Sequence, residues 1–349
     1  MLFLLCTLPV KAFDEDVWGL DTLYDATPAA AEEYVGESEP GEEAETLFSR
    51  LGEKLREKLE EQIRSELGFC AVLFSVVLLA SVTELSDVSE RTGKTVQLAA
   101  VLSVAASSVT ELHSFSQDAL TTLQELSDYS RSLLPVLTAT ASLSGAVASS
   151  AAKCAATSFV MDCLLSLGTG IIAPAICGYT ALTLADAAVG NRTLHAASTM
   201  MRDICTLAMT ALATAFTLWI GFIASVNGKA EVSGLRLTRT ILSAGLPVVG
   251  KLMTDAAASL SAAAGVVRAS AGAFGLAVVL SLCAGPFVRI GCRYLAFRLT
   301  ACLCQSCGSG SISSLLDDLA TAFGLLLALL GTGTLCLFMG MWSLMRVVL

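Results

Sequence analysis

The sequence predicts an all-α fold, namely a polytopic helical membrane protein with about seven or eight transmembrane helices. Hydrophobic residues make up 54% of the chain and charged residues only 15%, and the mean hydropathy is +0.71. A soluble domain would be about a quarter charged. Apolar runs of roughly 17 to 25 residues recur, long enough to cross ~30 Å of hydrocarbon as helices. These runs lack period-two alternation, which argues against transmembrane strands.

The N-terminal region predicts a signal peptide followed by an acidic tail. Residues 1–12 contain a short apolar core and a Val10-x-Ala12 step of the kind that signal peptidase cleaves. Residues 13–46 contain no Lys or Arg and too little apolar surface to offset the entropy of ordering, so we expect a flexible tail. Residues Asp14–Glu66 hold 17 of the 31 acids and 5 of the 21 bases. So acidic a segment does not suit nucleic-acid binding, which requires basic residues.

Residues 47–67 predict an amphipathic helix that runs into the first transmembrane span. Leucine or isoleucine recurs every fourth residue, with Arg, Lys and Glu between. Such a helix lies on a membrane surface, docks against a partner helix, or packs on its own bundle. The apolar positions are Leu47, Leu51, Leu55, Leu59, Ile63 and Leu67.

Residues 68–349 form the predicted transmembrane domain. The fourth apolar segment is too long for one straight crossing and is interrupted between Leu167 and Gly178, which predicts a helix pair or a re-entrant element. The predicted spans are Gly68–Leu85, Thr95–Leu112, Ser132–Ala152, Cys154–Ala185, Ile204–Val226, Ile241–Val267, Ala269–Val288 and Leu319–Val348.

The charges between these spans predict an orientation. A cleaved signal peptide places the acidic tail on the extracytoplasmic side, so basic connections should lie in the cytoplasm. Eight crossings satisfy this rule if residues 241–267 cross the bilayer, and seven remain the alternative. The connections assigned to the inside contain Arg91, Lys94, Lys153, Lys229, Arg236, Arg239, Arg289, Arg293 and Arg298, and the acidic outside connection contains Asp118, Glu125 and Asp128.

One interrupted segment lies between Gly245 and Gly265. Proline suits the first turn of a helix, so we expect a bend at Gly245 and a helix that begins at Pro247. Lys251 and Asp255 are then four residues apart on one helical face and pair their charges. Because the following residues are mostly Ala and Ser, we expect this helix to be buried in a bundle or an oligomer interface.

A second interruption, in the fourth span, resembles the first in composition. Paired Gly/Pro-broken helices mark the binding sites of some transporters, but two ordinary kinks in tightly packed helices are the favoured interpretation, because Gly and Pro are common in membrane helices. Asp162 in the same span either lines a path or accepts hydrogen bonds from Ser158 and Ser166. The candidate pathway or packing residues are Asp162, Gly170, Pro174, Gly178, Arg202, Gly245, Pro247, Gly250, Lys251, Asp255 and Arg268.

Enzymatic and metal-binding roles find little support in the sequence. The cluster CLCQSC over Cys302–Cys307 supplies three close thiols where zinc takes four ligands, so reduced thiols are favoured. His113 and His195 have no ligand cluster near them in sequence. Asp317 and Asp318 are adjacent, so on a helix they point about 100° apart. We therefore expect neither a catalytic site nor a cofactor.

Several segments together resemble a known family. They are LLPVLTATASLSGAVASS from Leu133, GIIAPAICGYTALTLAD from Gly170, LRLTRTILSAGLPVVGKLMTDAAASL from Leu235, GAFGLAVVLSLCAGPFVRI from Gly272 and SISSLLDDLATAFGLLLALLG from Ser311. From about Ala119 to the end, the chain resembles the stage III sporulation protein AE family of endospore-forming bacteria.

This resemblance implies a function in endospore formation. The family sits in the mother-cell membrane around the engulfed forespore, as a subunit of a channel complex that resembles a secretion apparatus. Its implied partners are the other stage III A proteins, including an ATPase and ring-forming subunits, and forespore protein Q. The complex supports late forespore gene expression and passes small molecules. The alternative is a stand-alone secondary transporter with its site at the two broken helices.

Overall fold

The structure is a computed structural model. It describes residues 23, 25–29, 31–32, 44–85, 90–143, 147–189, 192–245, 249–306 and 310–345. The predicted signal peptide and most of the acidic tail lie outside these ranges. The predicted all-α class is confirmed, since no strand occurs in the described residues. The helices are α1 Ala44–Leu85, α2 Glu90–Leu143, α3 Val147–Leu167, a π-helical turn Gly168–Ile172, α4 Ala173–Val189, α5 Arg192–Gly245, α6 Val249–Ser306 and α7 Gly310–Met345.

Helix α1 joins the predicted amphipathic segment to the first predicted span without a break. On its exposed surface Arg56 and Glu60 form an i,i+4 ion pair at 3.2 Å. Further along, Phe69 packs edge-on against Phe297 of α6, with ring centroids 5.7 Å apart. Within the amphipathic segment, Leu51 is 2% exposed and Glu66 meets Arg293 of α6, whereas Leu59, Ile63 and Leu67 are 38%, 39% and 62% exposed. The segment is therefore only partly covered by the chain's own bundle, and docking on a membrane surface or a partner helix stays open.

Helix α2 contradicts the predicted acidic loop. Asp118, Glu125 and Asp128 lie in the middle of one continuous helix rather than in an extracytoplasmic connection. The helix continues because apolar residues keep a three-to-four spacing through the acids and bury one face. Pro135 lies inside it without ending it. The buried residues on that face include Leu112, Phe115, Ala119, Leu123 and Leu126.

The third predicted span is divided between two helices, so its predicted bounds are wrong. Helix α2 ends at Leu143 and α3 begins at Val147. Lys153, predicted in a cytoplasmic connection, lies inside α3 and is only 6% exposed. Its Nζ donates a hydrogen bond to the carbonyl oxygen of Ser343 at 3.1 Å, in the last turn of α7. A cation suits that position because the last carbonyls of a helix lack intrahelical donors.

Helix α6 is continuous where the sequence predicted two spans and a basic connection. Arg268, placed between the two predicted spans, is a buried residue of the helix. Arg289, Arg293 and Arg298, predicted in a cytoplasmic connection, also lie within α6. The structural reason is that each of these three arginines meets a carboxylate on a neighbouring helix, which makes the basic segment compatible with packing.

The core of the bundle is organised around α7. This helix contacts α2, α3, α4, α5 and α6. It runs antiparallel to α6: a Cβ added at Gly272 would lie 2.6 Å from Met345 Sδ, and Cys283 Sγ is 3.0 Å from Thr334 Oγ1. The Phe297 and Phe323 rings stack at 5.3 Å between the two helices. Glycine at 272 permits this close approach of the helices.

Three helical stretches among the described residues are long and apolar enough to cross a membrane. They are Ser150–Val189, Ala262–Gln305 and Ile312–Met345. Together with the composition they support an all-helical membrane protein. The total of seven or eight crossings and the orientation of the chain stay predictions.

Candidate functional site

The interruption in the fourth predicted span is a π-helical turn between α3 and α4. The N–H of Ala173 bonds to the carbonyl oxygen of Gly168, five residues earlier. Pro174 follows at once and has no N–H to give to the carbonyl of Gly170. A π-turn widens the helix at this point and so accommodates the proline ring without separating α3 from α4. The predicted interruption is therefore a local bulge.

Glycines around this turn differ in their surroundings. A Cβ added at Gly168 would lie 3.3 Å from Leu120 Cδ2 and 3.7 Å from Leu329 Cδ1. A Cβ at Gly178 would lie 3.2 Å from Met201 Sδ of α5. At Gly170 a Cβ would meet nothing within 4 Å. Gly168 and Gly178 thus serve close helix packing, whereas Gly170 faces open space.

The other interruption separates two helices. Helix α5 ends at Gly245, where the sequence predicted a bend, and α6 begins at Val249. Pro247 lies outside the described residues. Gly250, Lys251 and Asp255 belong to the first turns of α6, and their side chains are outside the described part, so the proposed Lys251–Asp255 pair stays a prediction. The first interruption is thus a bulge inside a helical segment, whereas the second falls on residues 246–248, which lie outside the described part of the chain.

The two arginines that follow the interruptions also differ. Arg202 of α5 is half-exposed and its Nε lies 3.2 Å from the Oδ1 of Asp203. Arg268 of α6 is 6% exposed, and its Nη1 has no hydrogen-bond partner in the described part of the chain. If the two interruptions formed a repeated, transporter-like site, the two arginines should have similar surroundings. In the structure their surroundings differ.

Asp162 faces α2 rather than its own helix. The Nη2 of Arg131 donates to its Oδ1 at 2.7 Å, and the Ser127 hydroxyl donates to the same oxygen at 3.4 Å. The expectation of hydrogen bonds from Ser158 and Ser166 is therefore wrong. The reason is that α2 and α3 pack antiparallel, which brings Arg131 to the carboxylate.

A charged cluster that sequence reasoning missed joins α1, α2 and α6. The Nε of Arg293 is 2.9 Å from Glu66 Oε2, and its Nη1 is 3.1 Å from Glu111 Oε2. The N–H groups do not point at these oxygens, so the contacts are charge contacts rather than aligned hydrogen bonds. Arg293 also lies over the Phe69 ring, 3.6 Å from its centroid. Gln62 Nε2 donates to the other oxygen of Glu66 at 3.3 Å.

This cluster extends along α6 through two more arginines. Arg289 Nη1 is 3.0 Å from Asp118 Oδ2 and its guanidinium lies 5.2 Å from the Phe115 ring centroid. Arg298 pairs with Asp317 of α7. The only sequence signal was the run of arginines after the seventh predicted span, which the charge rule assigned to a loop.

Smaller polar contacts connect α4, α5 and α7. The Tyr179 hydroxyl donates to Asp318 Oδ1 at 3.1 Å, and His195 Nδ1 is 3.2 Å from Asp186 Oδ2. Within the described ranges, no group of three or more His, Cys, Asp or Glu side chains is placed to hold a metal ion. Cys302 and Cys304 lie at the end of α6, while Cys307 is outside the described residues. These contacts hold helices together and do not assemble a nucleophile with a base.

Comparison with known proteins gives one consistent family. Residues 30–346 match the family described as Stage III sporulation protein AE. The Stage III sporulation protein AE of Bacillus subtilis (strain 168) is 24% identical over 222 residues. That alignment covers 63% of this chain and 55% of the relative, so the match spans about half of the relative's length. No solved structure matches.

Proposed function

This chain belongs to the stage III sporulation protein AE family, and on that premise we propose that it is an integral membrane subunit of the channel complex between mother cell and forespore. The family match over residues 30–346 is the observation that carries this proposal. Family membership supports a role in sporulation. The proposal adds that the complex sustains late forespore gene expression and passes small molecules.

The proposed partners are the other stage III A proteins, including an ATPase and ring-forming subunits, and forespore protein Q. The proposed location is the mother-cell membrane around the forespore, with the acidic tail on the extracytoplasmic side. The described helices offer a suitable scaffold, because their charged side chains pair between helices instead of forming a catalytic arrangement. We therefore propose a non-catalytic role in assembly and passage.

Deletion in the host organism tests the proposed function. Loss of the gene should reduce the number of heat-resistant spores and the activity of a reporter that is expressed late in the forespore. An early forespore reporter is the control, since it precedes the channel. Unchanged late expression in the deletion strain would contradict the proposal.

Reconstitution separates the subunit from the alternative of a stand-alone transporter. The purified chain in liposomes should move no solute by itself, because a subunit needs the rest of its complex. The same liposomes with co-purified stage III A proteins provide the comparison. Solute uptake by the chain alone would favour the transporter.

A further inference from the structure

Helix α2 presents a continuous polar face to its surroundings. Its exposed residues Gln117, Thr121, Gln124, Asp128 and Arg131 are separated by four, three, four and three positions, which places them on one side of an α-helix. We call these five residues the polar flank. They extend over about 21 Å at 1.5 Å per residue. The opposite face of α2 is apolar and buried in the bundle.

The polar flank lies at the depth of the middle of two apolar spans. Gly168 is near the middle of Ser150–Val189, and Leu329 is near the middle of Ile312–Met345. A Cβ at Gly168 would lie within 3.7 Å of both Leu329 and Leu120 of α2. Leu120 is next to Thr121, the second of the five flank residues, so this level crosses the flank about 6 Å from its centre at Gln124.

The third apolar span gives the same depth. Phe287 lies near the middle of Ala262–Gln305, and a Cβ at Gly331 of α7 would be 3.5 Å from its ring. Two residues further along α6, Arg289 binds Asp118 of α2 at 3.0 Å. A bilayer core is ~30 Å thick. If the three spans cross it centrally, the flank from Gln117 to Asp128 lies within about 12 Å of the midplane at Leu120, inside the core, and Arg131 lies near the edge of the core.

Polar character at this depth continues from α2 onto α1. A cavity of about 430 Å³ lies between α1 and α6. Arg289, which contacts the middle of α2, belongs to its lining. The lining residues are Lys58, Leu59, Glu61, Gln62, Ser65, Ala284, Gly285, Val288 and Arg289.

Exposed positions on the π-turn, α5 and α7 near this level are apolar. Ile171, Leu218 and Leu335 are 52%, 75% and 63% exposed, and we call them the apolar flank. Thr210 and Thr214 beside them donate their hydroxyls to carbonyls four residues earlier in α5, which makes those threonines compatible with lipid. The apolar flank can face hydrocarbon.

Lipid contact does not suit the polar flank. The side chains of Asp128, Arg131 and Asp162 are 59%, 58% and 52% exposed. A charged side chain at the bilayer centre costs about 2.5–3.5 kcal/mol on insertion scales, and charged residues inside the core face protein or water-filled cavities. These three residues lie about 11–17 Å from the midplane, between the centre and the edge of the core, so they carry part of that cost. Arg131 donates to Asp162 at 2.7 Å and to Asp128 at 3.3 Å, which offsets part of that cost, but two carboxylates share one guanidinium and a net negative charge remains.

We propose that the polar flank lines a water-filled passage through the membrane. This inference rests on the proposed function and adds which face of the chain meets the solute. A flank of amides, hydroxyls and carboxylates suits small, water-soluble molecules rather than lipids. Because one chain leaves the flank open on its outer side, further subunits of the complex close the passage.

Cysteine accessibility tests the proposal in membranes from sporulating cells. Thr121→Cys, Gln124→Cys and Asp128→Cys are compared with Ile171→Cys, Leu218→Cys and Leu335→Cys, after replacement of the twelve native cysteines. A charged methanethiosulfonate should modify the polar-flank cysteines about tenfold faster or more, because only a hydrated thiol ionises to the reactive thiolate. Labelling of the polar flank by a lipid-soluble carbene, or by neither reagent, overturns the proposal.

Carboxyl modification of the unaltered chain provides a second test if the cysteine-free chain does not fold. A water-soluble carbodiimide with an amine nucleophile should modify Asp128 in the intact complex, as read by mass spectrometry. Modification by a lipid-soluble carbodiimide alone, or no modification, overturns the proposal. Both tests measure the access of water to the polar flank, whereas the deletion measures a role in sporulation. A failed labelling test therefore overturns the proposed passage and leaves the proposed function standing. A failed deletion test contradicts the proposed function even if the polar flank is hydrated.

Discussion

At the residue scale, Arg293 connects three helices through buried charge. It meets Glu66 of α1 and Glu111 of α2, while its own side chain is 12% exposed. The guanidinium compensates the two carboxylates for the hydration that they lose on burial. Without it, both would remain as unpaired buried charges, which destabilises the folded state.

Replacing Arg293 should therefore destabilise the bundle. Arg293→Met leaves two partly or fully buried carboxylates unpaired and should cost about 3–5 kcal/mol. Thermal unfolding in detergent measures this change. Arg298→Met is the matched control on the same helix: its pair with Asp317 is about half-exposed, so the loss should stay below about 1 kcal/mol. Equal losses in the two variants would contradict a buried role for Arg293.

Lys153 provides a second residue-scale prediction. Its Nζ satisfies the Ser343 carbonyl in the last turn of α7. Lys153→Met should lower the unfolding free energy by about 1–3 kcal/mol, because a hydrogen bond from a charged group at a helix C-terminus is lost. Lys153→Arg keeps the charge and should retain more of the stability. A melting temperature unaffected by Lys153→Met would remove the capping role.

At the scale of elements, the π-turn allows α3 and α4 to follow α7 as one continuous rod. Pro174 determines where the turn occurs, and Gly168 determines how closely the rod approaches α2 and α7. Gly168 and Gly170 offer a matched test, because they are only two residues apart in the chain but differ in how closely other helices approach them.

Gly168→Leu should disrupt helix packing and Gly170→Leu should not. At Gly168 even a Cβ would be 3.3 Å from Leu120, so the remaining atoms of leucine have no room. Overpacking of this kind costs about 1–3 kcal/mol. Gly170 has nothing within 4 Å of an added Cβ. Protein levels in the membrane and detergent melting curves measure both variants, and a Gly170→Leu variant as damaged as Gly168→Leu would refute the packing argument.

The small-residue segment of α6 gives another prediction at this scale. Ala264 is fully buried, whereas Ala262, two residues earlier, is exposed. Ala264→Leu should lower the stability of the bundle by about 1–3 kcal/mol through overpacking, and Ala262→Leu should have little effect. Blue-native electrophoresis and melting curves report assembly and stability. Normal assembly and stability of the Ala264 variant would count against burial of this segment.

At the scale of the whole molecule, the bundle has two flanks of opposite polarity at one depth. This division means that a single chain surrounded by lipid would expose charge to hydrocarbon. Assembly with other subunits resolves the conflict, and it agrees with the expectation that the purified chain alone transports nothing.

Replacing the central polar flank with apolar residues should separate passage from folding. The triple variant Gln117→Leu, Thr121→Leu and Gln124→Leu removes polar groups that have no buried role, so membrane levels should stay near normal. Late forespore reporter activity should fall severalfold because an apolar lining repels water and polar solutes. Leu218→Ile with Leu335→Ile is the control. Full reporter activity in the triple variant would argue that the polar flank serves packing alone.

The all-helical membrane class, the apolar final span, the end of α5 at Gly245 and the family could be recognised from sequence. Each depends on local information: residue composition, continuous apolar runs, Gly and Pro positions, or motif order. The interruption near Gly168 was also visible, because proline removes a backbone donor wherever it stands.

The placement of the charges was decided only by the tertiary structure. Asp118, Lys153 and Arg293 read as loop residues because a charge next to an apolar run is usually hydrated. Whether it is buried depends on which distant residue meets it, and those partners are Arg289, Ser343 and Glu66. The sequence does not give the distance between residues so far apart in the chain. The charge pairs, and the exposure of the polar flank, could therefore be identified only from the packing of the helices.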